Sequence, residues 1–149
     1  MITQHNILVW PTRIAKSRIR VYLTILGEPI SKQRPRFTNG RAYTPLKTRE
    51  AEEWIGWQIK SAYPGLIPFP EYAFGVIRLF YQSNQQRRDL DNMVKLVLDA
   101  CTGIVWNDDS QVTEIFCHVF RGETEPKTEL RIYSLDYLNT PTPNIPGFC

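Results

Sequence analysis

Residues 87–101 read RRDLDNMVKLVLDAC, a short polar run that passes into a strongly apolar helix pattern. We predict a helix from Asp91 to Cys101, with Gly103 placed where a left-handed carboxyl-terminal stop is favoured. From Met93 to Cys101 only Lys95 and Asp99 interrupt its apolar surface. Such a helix is buried on more than one side, which a subunit interface would explain.

Upstream of this helix, alternating residues from Ile19 to Gly27 predict a first strand. The stretch 28–43 is rich in proline and basic residues and indicates a cationic loop or arm. Another helix is expected earlier in the chain. Thr44 is its expected cap, Pro45 takes the first helical position, and Pro64-Gly65 ends it.

The remaining strands flank the helix of residues 91–101. Phe74 to Tyr81 is apolar on both faces and predicts a central strand. Val112 to Phe120 and Glu129 to Leu135 alternate, and we expect them to form an antiparallel pair. The sequence therefore predicts an α+β fold with a small mixed sheet of about four strands and two main helices.

The length of 149 residues fits one domain, which we place at 18–138 between an N-terminal extension (1–17) and a proline-rich tail (139–149). Neither a secretory signal nor a membrane-spanning run is recognisable, so we expect a cytoplasmic protein without membrane contact. The three cysteines lack the spacing of a disulfide framework or a zinc site.

Charge is distributed unevenly along the chain. The net charge is only +3, but residues 11–60 carry a balance of +7 and residues 61–149 one of −4. The first half is suited to a polyanion, whereas the second concentrates carboxylates that a purely electrostatic nucleic-acid binder does not need.

The carboxylates point to metal chemistry. Asp89 and Asp91 stand at one helix start, with Lys95 on the same face as Asp91. Carboxylate oxygens suit Mg²⁺, which takes one or two of them and fills its shell with water and phosphate oxygens. A third acid is offered by Asp108 and Asp109; the helix carries the chain about 15 Å away, and residues 102–108 are long enough to return.

Simpler interpretations remain open for each of these residues. Asp89 or Asp91 can serve only as a helix cap, Lys95 can pair with Asp99, and Asp108-Asp109 can form a plain turn. The alternative function is then a non-catalytic nucleic-acid-binding module. A metal-dependent nucleotide-sugar transferase is disfavoured, because the chain lacks room for the usual doubly wound nucleotide-binding domain.

Two motifs in combination resemble a known family. RRDLDN with a lysine four residues after its second Asp, then W-x-DD-x-QV, is similar to the RusA-type Holliday junction resolvases. The segment GEPISKQRPRFTNGRAYTP also resembles the start of many members, so the resemblance spans roughly Gly27 to Tyr133.

The resemblance implies a RusA-like, homodimeric Mg²⁺-dependent endonuclease that cuts opposing strands of a four-way DNA junction during recombination and repair. It implies that Asp89, Asp91 and Asp109 bind the metal and that Lys95 is the essential lysine, without a small-molecule cofactor. Members are frequently carried by prophages. For DNA phosphate contacts we expect the nearby basic residues, namely Lys32, Arg34, Arg36, Arg41, Arg87 and Arg88.

Overall fold

The computed structural model describes residues 17–70, 73–83 and 87–135, with side chains left out of the description at 17–19, 73–82 and 135. The expected tail and nearly all of the expected N-terminal extension lie outside these ranges. In chain order the elements are β1 (Ser17–Leu26), β2 (Arg36–Thr38), β3 (Arg41–Tyr43), α1 (Leu46–Ala62), β4 (Ala73–Gln82), α2 (Leu90–Cys101), β5 (Ile115–Arg121) and β6 (Lys127–Leu135).

The main sheet has four strands in the order β1-β6-β4-β5. β6 pairs antiparallel with both β1 and β4, and β5 runs parallel to β4. The expected α+β fold with a mixed four-stranded sheet and two main helices is confirmed, as is the central position of β4.

The expected antiparallel pairing of the last two strands is wrong, because β4 lies between them. β4, α2 and β5 form a strand-helix-strand unit, and a helical crossover of this kind returns the chain parallel to its first strand. β6 then fills the place between β4 and β1. Closeness in sequence was therefore a poor guide to pairing here.

The first helix begins one residue later than expected. Pro45 is its cap residue in an extended conformation (φ −55°, ψ 144°), so Thr44 is not the cap. The Pro45 carbonyl accepts hydrogen bonds from the backbone N–H groups of Thr48 and Arg49 at 3.0 and 3.2 Å. The helix ends at Ala62, and Gly65 takes the positive φ of +88° that the expected stop requires.

The apolar surface of α2 is covered largely within the chain itself. Met93, Leu96 and Cys101 are fully buried, while Val94 and Leu98 are half-buried against the same core. The partners are α1 and the sheet, and α1 approaches closely at Gly56, where a Cβ would lie 2.8 Å from Ile104 Cδ1. A subunit interface is thus not needed to explain this helix.

The N-termini of α1 and α2 lie close together. The backbone N–H of Lys32 donates to the Asn92 carbonyl in the first turn of α2 at 2.9 Å. The next N–H, that of Gln33, donates to Thr48 Oγ1 in the first turn of α1 at 3.1 Å. The segment that follows β1 therefore ties the two helix N-termini together.

The sheet has two ends that matter for the site. At the Leu26 end, β1, β4 and β5 finish and β6 begins; at the Ser17 end, β1, β4 and β5 begin and β6 finishes.

Within the described ranges, no helix is both long and apolar enough to cross a membrane.

Candidate active site

Asp89 and Asp91 lie at the exposed N-terminus of α2. Asp89 has the extended backbone of a cap residue (φ −73°, ψ 132°), but its side chain makes no capping hydrogen bond. Asp91 sits in the first turn, and both residues are exposed. The cap interpretation is correct for the backbone of Asp89, yet its carboxylate is not used for capping.

Lys95 lies beside Asp91 rather than Asp99. Its Nζ is 3.4 Å from Asp91 Oδ2, with the two side chains 61% and 66% exposed. An exposed pair of this kind contributes at most about 1 kcal/mol to stability. The alternative pairing with Asp99 is wrong, because Asp99 is bound to Lys32.

Lys32, which we expect to contact phosphate, has a structural partner within the chain. Its ammonium forms an ion pair with Asp99, and its backbone N–H binds the first turn of α2. Glu52 of α1 completes a small charged cluster: burial raises the pKa of its carboxyl, Asp99 adds to the rise and Lys32 partly offsets it. We therefore assign Lys32 mainly to holding the segment between β1 and the helices.

Asp108 and Asp109 form the expected turn, but the turn uses only one of the two carboxylates. Asp108 Oδ1 accepts from the Ser110 N–H at 2.8 Å, and hydrogen bonding to Ser110 lowers the pKa of the Asp108 carboxyl. Gln111 completes the capping box by accepting from the backbone N–H groups of Asn107 and Asp108. Asp109 is exposed in the following single 3₁₀ turn.

The two acidic sites are tied to different ends of the sheet. Ser83, at the Leu26 end, donates its N–H to Glu28 shortly before the chain enters α2, and α2 then runs towards the Ser17 end. There the Gln111 amide donates to the Phe69 carbonyl at 2.8 Å, and Phe69 lies just before β4 begins. This holds the turn with Asp109 near the carboxyl-terminal end of α2, away from Asp89 and Asp91.

The expected gathering of three carboxylates is accordingly not found within one chain. Across residues 17–70, 73–83 and 87–135, no three or more Asp, Glu, His or Cys side chains are grouped so that they could hold a metal ion. The structure brings together Asp91 and Lys95, with Asp89 at the same helix start, and leaves Asp109 at the other site.

The cationic arm contains a β-hairpin that the sequence analysis missed. β2 and β3 pair antiparallel through Asn39 and Gly40, whose φ values of 51° and 72° fit the tight turn that Asn-Gly favours. Every residue of both strands is exposed, including Arg36 and Arg41. Asn-Gly between two short apolar-containing runs was the signal that could have located it.

A pocket of about 410 Å³ lies beside the start of α2. It is bounded by the segment after β1, by the N-terminal half of α1 and by Arg88, the residue next to Asp89. Trp54, which sequence reasoning treated only as part of the helix pattern, lines it. Of the other expected phosphate ligands, Arg34 and Arg87 are exposed.

Comparison with known proteins agrees with the motifs and the fold. The model of a family described as Endodeoxyribonuclease RusA matches residues 27–133. This chain therefore belongs to the RusA endodeoxyribonuclease family, a family of Holliday junction resolving nucleases that act on DNA and are typically metal-dependent. It is also similar to a protein of Bacillus subtilis (strain 168) called "Uncharacterized protein YqaN", at 25% identity over 135 residues, covering 75% of this chain and 94% of the relative.

Proposed function

We propose that this protein is a Mg²⁺-dependent, structure-specific endonuclease that resolves four-way DNA junctions by paired phosphodiester hydrolysis. The observation that carries the proposal is the pair Asp89 and Asp91, exposed at a helix N-terminus inside the part of the chain that matches the family. Neither carboxylate is used to cap that helix.

The donor set at the start of α2 fits Mg²⁺. Two carboxylates are what this ion commonly takes from a protein, the remaining positions being filled by water and substrate phosphate. Bound there, Mg²⁺ would lower the pKa of a coordinated water and offset negative charge on the scissile phosphate. The positive end of the α2 dipole favours a phosphate at the same place.

The other residues at this site bind and orient the substrate. Lys95, beside Asp91, is placed to add positive charge near the scissile phosphate or to position the attacking water. Arg34, Arg36 and Arg41 of the arm, together with Arg87 and Arg88, are our proposed contacts to backbone phosphates. Lys32 has the smaller part, since Asp99 holds its ammonium.

We further propose that the site is completed by a second copy of the chain. Asp109 lies near the carboxyl-terminal end of α2, whereas Asp89 and Asp91 lie at its N-terminus. In the described ranges, one chain has no group of three carboxylates that could hold a metal ion. In the proposed two-fold symmetric dimer, Asp109 of each copy meets the helix start of the other, which gives two sites for two opposing strands.

The function is tested by cleavage of a synthetic four-way junction in Mg²⁺, with Asp91→Asn as the variant and Asp108→Asn as the matched control. Asp91→Asn should bind the junction and fail to cut it, while Asp108→Asn keeps a cap acceptor and should cut. Equal cutting by Asp91→Asn and wild type would remove Asp91 from the site. Tight binding without cutting by wild type would favour the non-catalytic nucleic-acid-binding module.

The dimeric site is tested by mixing two inactive chains. Heterodimers carrying Asp91→Asn in one copy and Asp109→Asn in the other are purified through two different affinity tags and assayed for nicking. If the site is shared, one of the two sites is intact and the heterodimer nicks one strand. If each chain builds its own site, both sites are defective and the mixture stays inactive.

A further inference from the structure

The pocket beside α2 combines an aromatic wall with basic groups. Trp54 and Ile30 supply apolar surface, and Lys47 and Arg88 supply positive charge, with Glu50 as the acidic member of the lining. The N-termini of α1 and α2 both lie at this end of the molecule, and their dipoles add to the positive potential. The pocket is therefore suited to a ligand with one flat apolar part and one anionic part.

The aromatic wall of the pocket is preorganised before any ligand binds. Trp54 stacks on Trp57 with ring centroids 5.3 Å apart and planes at 18°, which restricts the indole of Trp54. Trp54 nevertheless remains 48% exposed. An indole fixed in orientation and open to solvent is a stacking platform of the kind on which nucleic-acid bases lie.

Size and position narrow the choice of ligand. A volume of about 410 Å³ is within the range of roughly 300–1,000 Å³ typical of small-molecule sites, enough for a single nucleotide but not for a duplex. Arg88 directly precedes Asp89, and consecutive Cα atoms are about 3.8 Å apart. A nucleotide in the pocket is therefore a close neighbour of any phosphate at the proposed metal site.

We propose that this pocket binds one unpaired nucleotide of the branched DNA substrate, stacking its base on Trp54 and holding its phosphate near Lys47 and Arg88. The proposal rests on the proposed function, since it takes DNA as the substrate and Asp89 as part of the cutting site. Nucleotide capture next to the cut gives the enzyme a means of choosing where at the branch point it cuts.

The test uses four-way junctions carrying 2-aminopurine at single positions around the branch point, with Ca²⁺ in place of Mg²⁺ so that binding is read without cleavage. Wild type and Trp54→Phe should change the fluorescence at one position. Trp54→Ala should lose that change and bind about tenfold more weakly, in line with the loss of one base-aromatic stack. Ile67→Ala, an exposed apolar residue outside the pocket lining, is the matched control and should behave as wild type.

The other outcomes of this experiment either overturn the pocket proposal or separate it from the proposed function. An unchanged signal and affinity with Trp54→Ala, in protein whose circular dichroism shows it folded, overturns the proposal. Conversion of a dimer to a monomer by Trp54→Ala in sedimentation also overturns it, because the surface is then an interface between copies. A retained fluorescence change in wild-type protein that does not cut in Mg²⁺ would support the pocket while rejecting the proposed function.

Discussion

Asp108 and Asp109 are neighbours in the chain, yet their carboxylates have different surroundings. Asp108 accepts a hydrogen bond from the Ser110 N–H and shapes the turn, whereas Asp109 is exposed in the 3₁₀ turn that follows. The difference assigns Asp108 to holding the turn and leaves Asp109 as the proposed metal ligand.

This division predicts distinct results for substitutions at the two positions. Asp109→Asn should abolish junction cleavage with binding retained, because it removes a carboxylate from the proposed metal site. Asp108→Asn should remain active and Asp108→Ala should lose activity in part, since asparagine can cap a turn and alanine cannot. The measurement is the single-turnover cleavage rate; loss of cutting in Asp108→Asn equal to that in Asp109→Asn would instead make Asp108 a ligand.

Glu52 carries a pH-dependent prediction. Because burial raises the pKa of its carboxyl above the ordinary 4.5, the folded chain binds this proton more tightly than the unfolded chain does. The ionised group therefore lowers stability once the pH rises above the unfolded value. Glu52→Gln should raise the free energy of unfolding in urea at pH 7 and have less effect at pH 4.

Glu50→Gln, at an exposed position of the same helix, is the control for Glu52→Gln and should change little at either pH. A loss of stability in Glu52→Gln at pH 7 would mean that attraction to Lys32 outweighs the cost of burial.

At the scale of elements, α1 comes close to the end of α2 and to Ile104 just beyond it at one glycine, Gly56. A Cβ at position 56 would lie 2.8 Å from Ile104 Cδ1 and 3.7 Å from the Ala100 carbonyl oxygen. Ile104 can move its terminal methyl group for an alanine, and alanine favours the helix by about 1 kcal/mol over glycine. A larger, branched side chain has no such room.

Gly56→Val should accordingly lower the free energy of unfolding by about 1–3 kcal/mol, the usual cost of overpacking, while Gly56→Ala stays close to wild type. Urea denaturation measures both. Ser61→Val places the same side chain at an exposed position of α1 and should show only the small cost of helix propensity. Equal losses in the two valine variants would show that the close contact at Gly56 does not form.

At the scale of the whole molecule, the β2–β3 hairpin carries two exposed arginines, Arg36 and Arg41, outside the main sheet. The β2–β3 hairpin forms a separate two-stranded sheet whose residues are all exposed. This surface is therefore available to contact a DNA backbone over more than one phosphate.

Salt dependence measures how much the arm contributes. Each phosphate contact adds about 0.9 to the slope of log binding constant against log salt. Arg36→Ala combined with Arg41→Ala should reduce the slope by up to about 2 and weaken binding to junction and duplex alike. Lys60→Ala, in the last turn of α1, is a control that removes one exposed charge and should leave the slope unchanged. An unaltered slope in the arm variant would remove the hairpin from the interface.

Much of the chain was predictable from local signals. The two helices, the stop at Gly65, the strand β4 and the acids at the start of α2 follow from periodicity, turn chemistry and spacing, which act between residues close in sequence. The motifs also indicated the family that the comparison confirmed. The Asn39-Gly40 hairpin had a local signal as well, and it was overlooked.

The sequence alone indicated the two helices, the four strands of the main sheet and the family, because helix and strand patterns and motif spacing are local. Only the tertiary structure decided that β4 lies between β5 and β6, that Asp99 forms an ion pair with Lys32, and that Asp109 lies away from the N-terminus of α2. Strand order and charge pairing depend on competition among residues distant in sequence, each satisfying one partner at the expense of another, and no local pattern records the result.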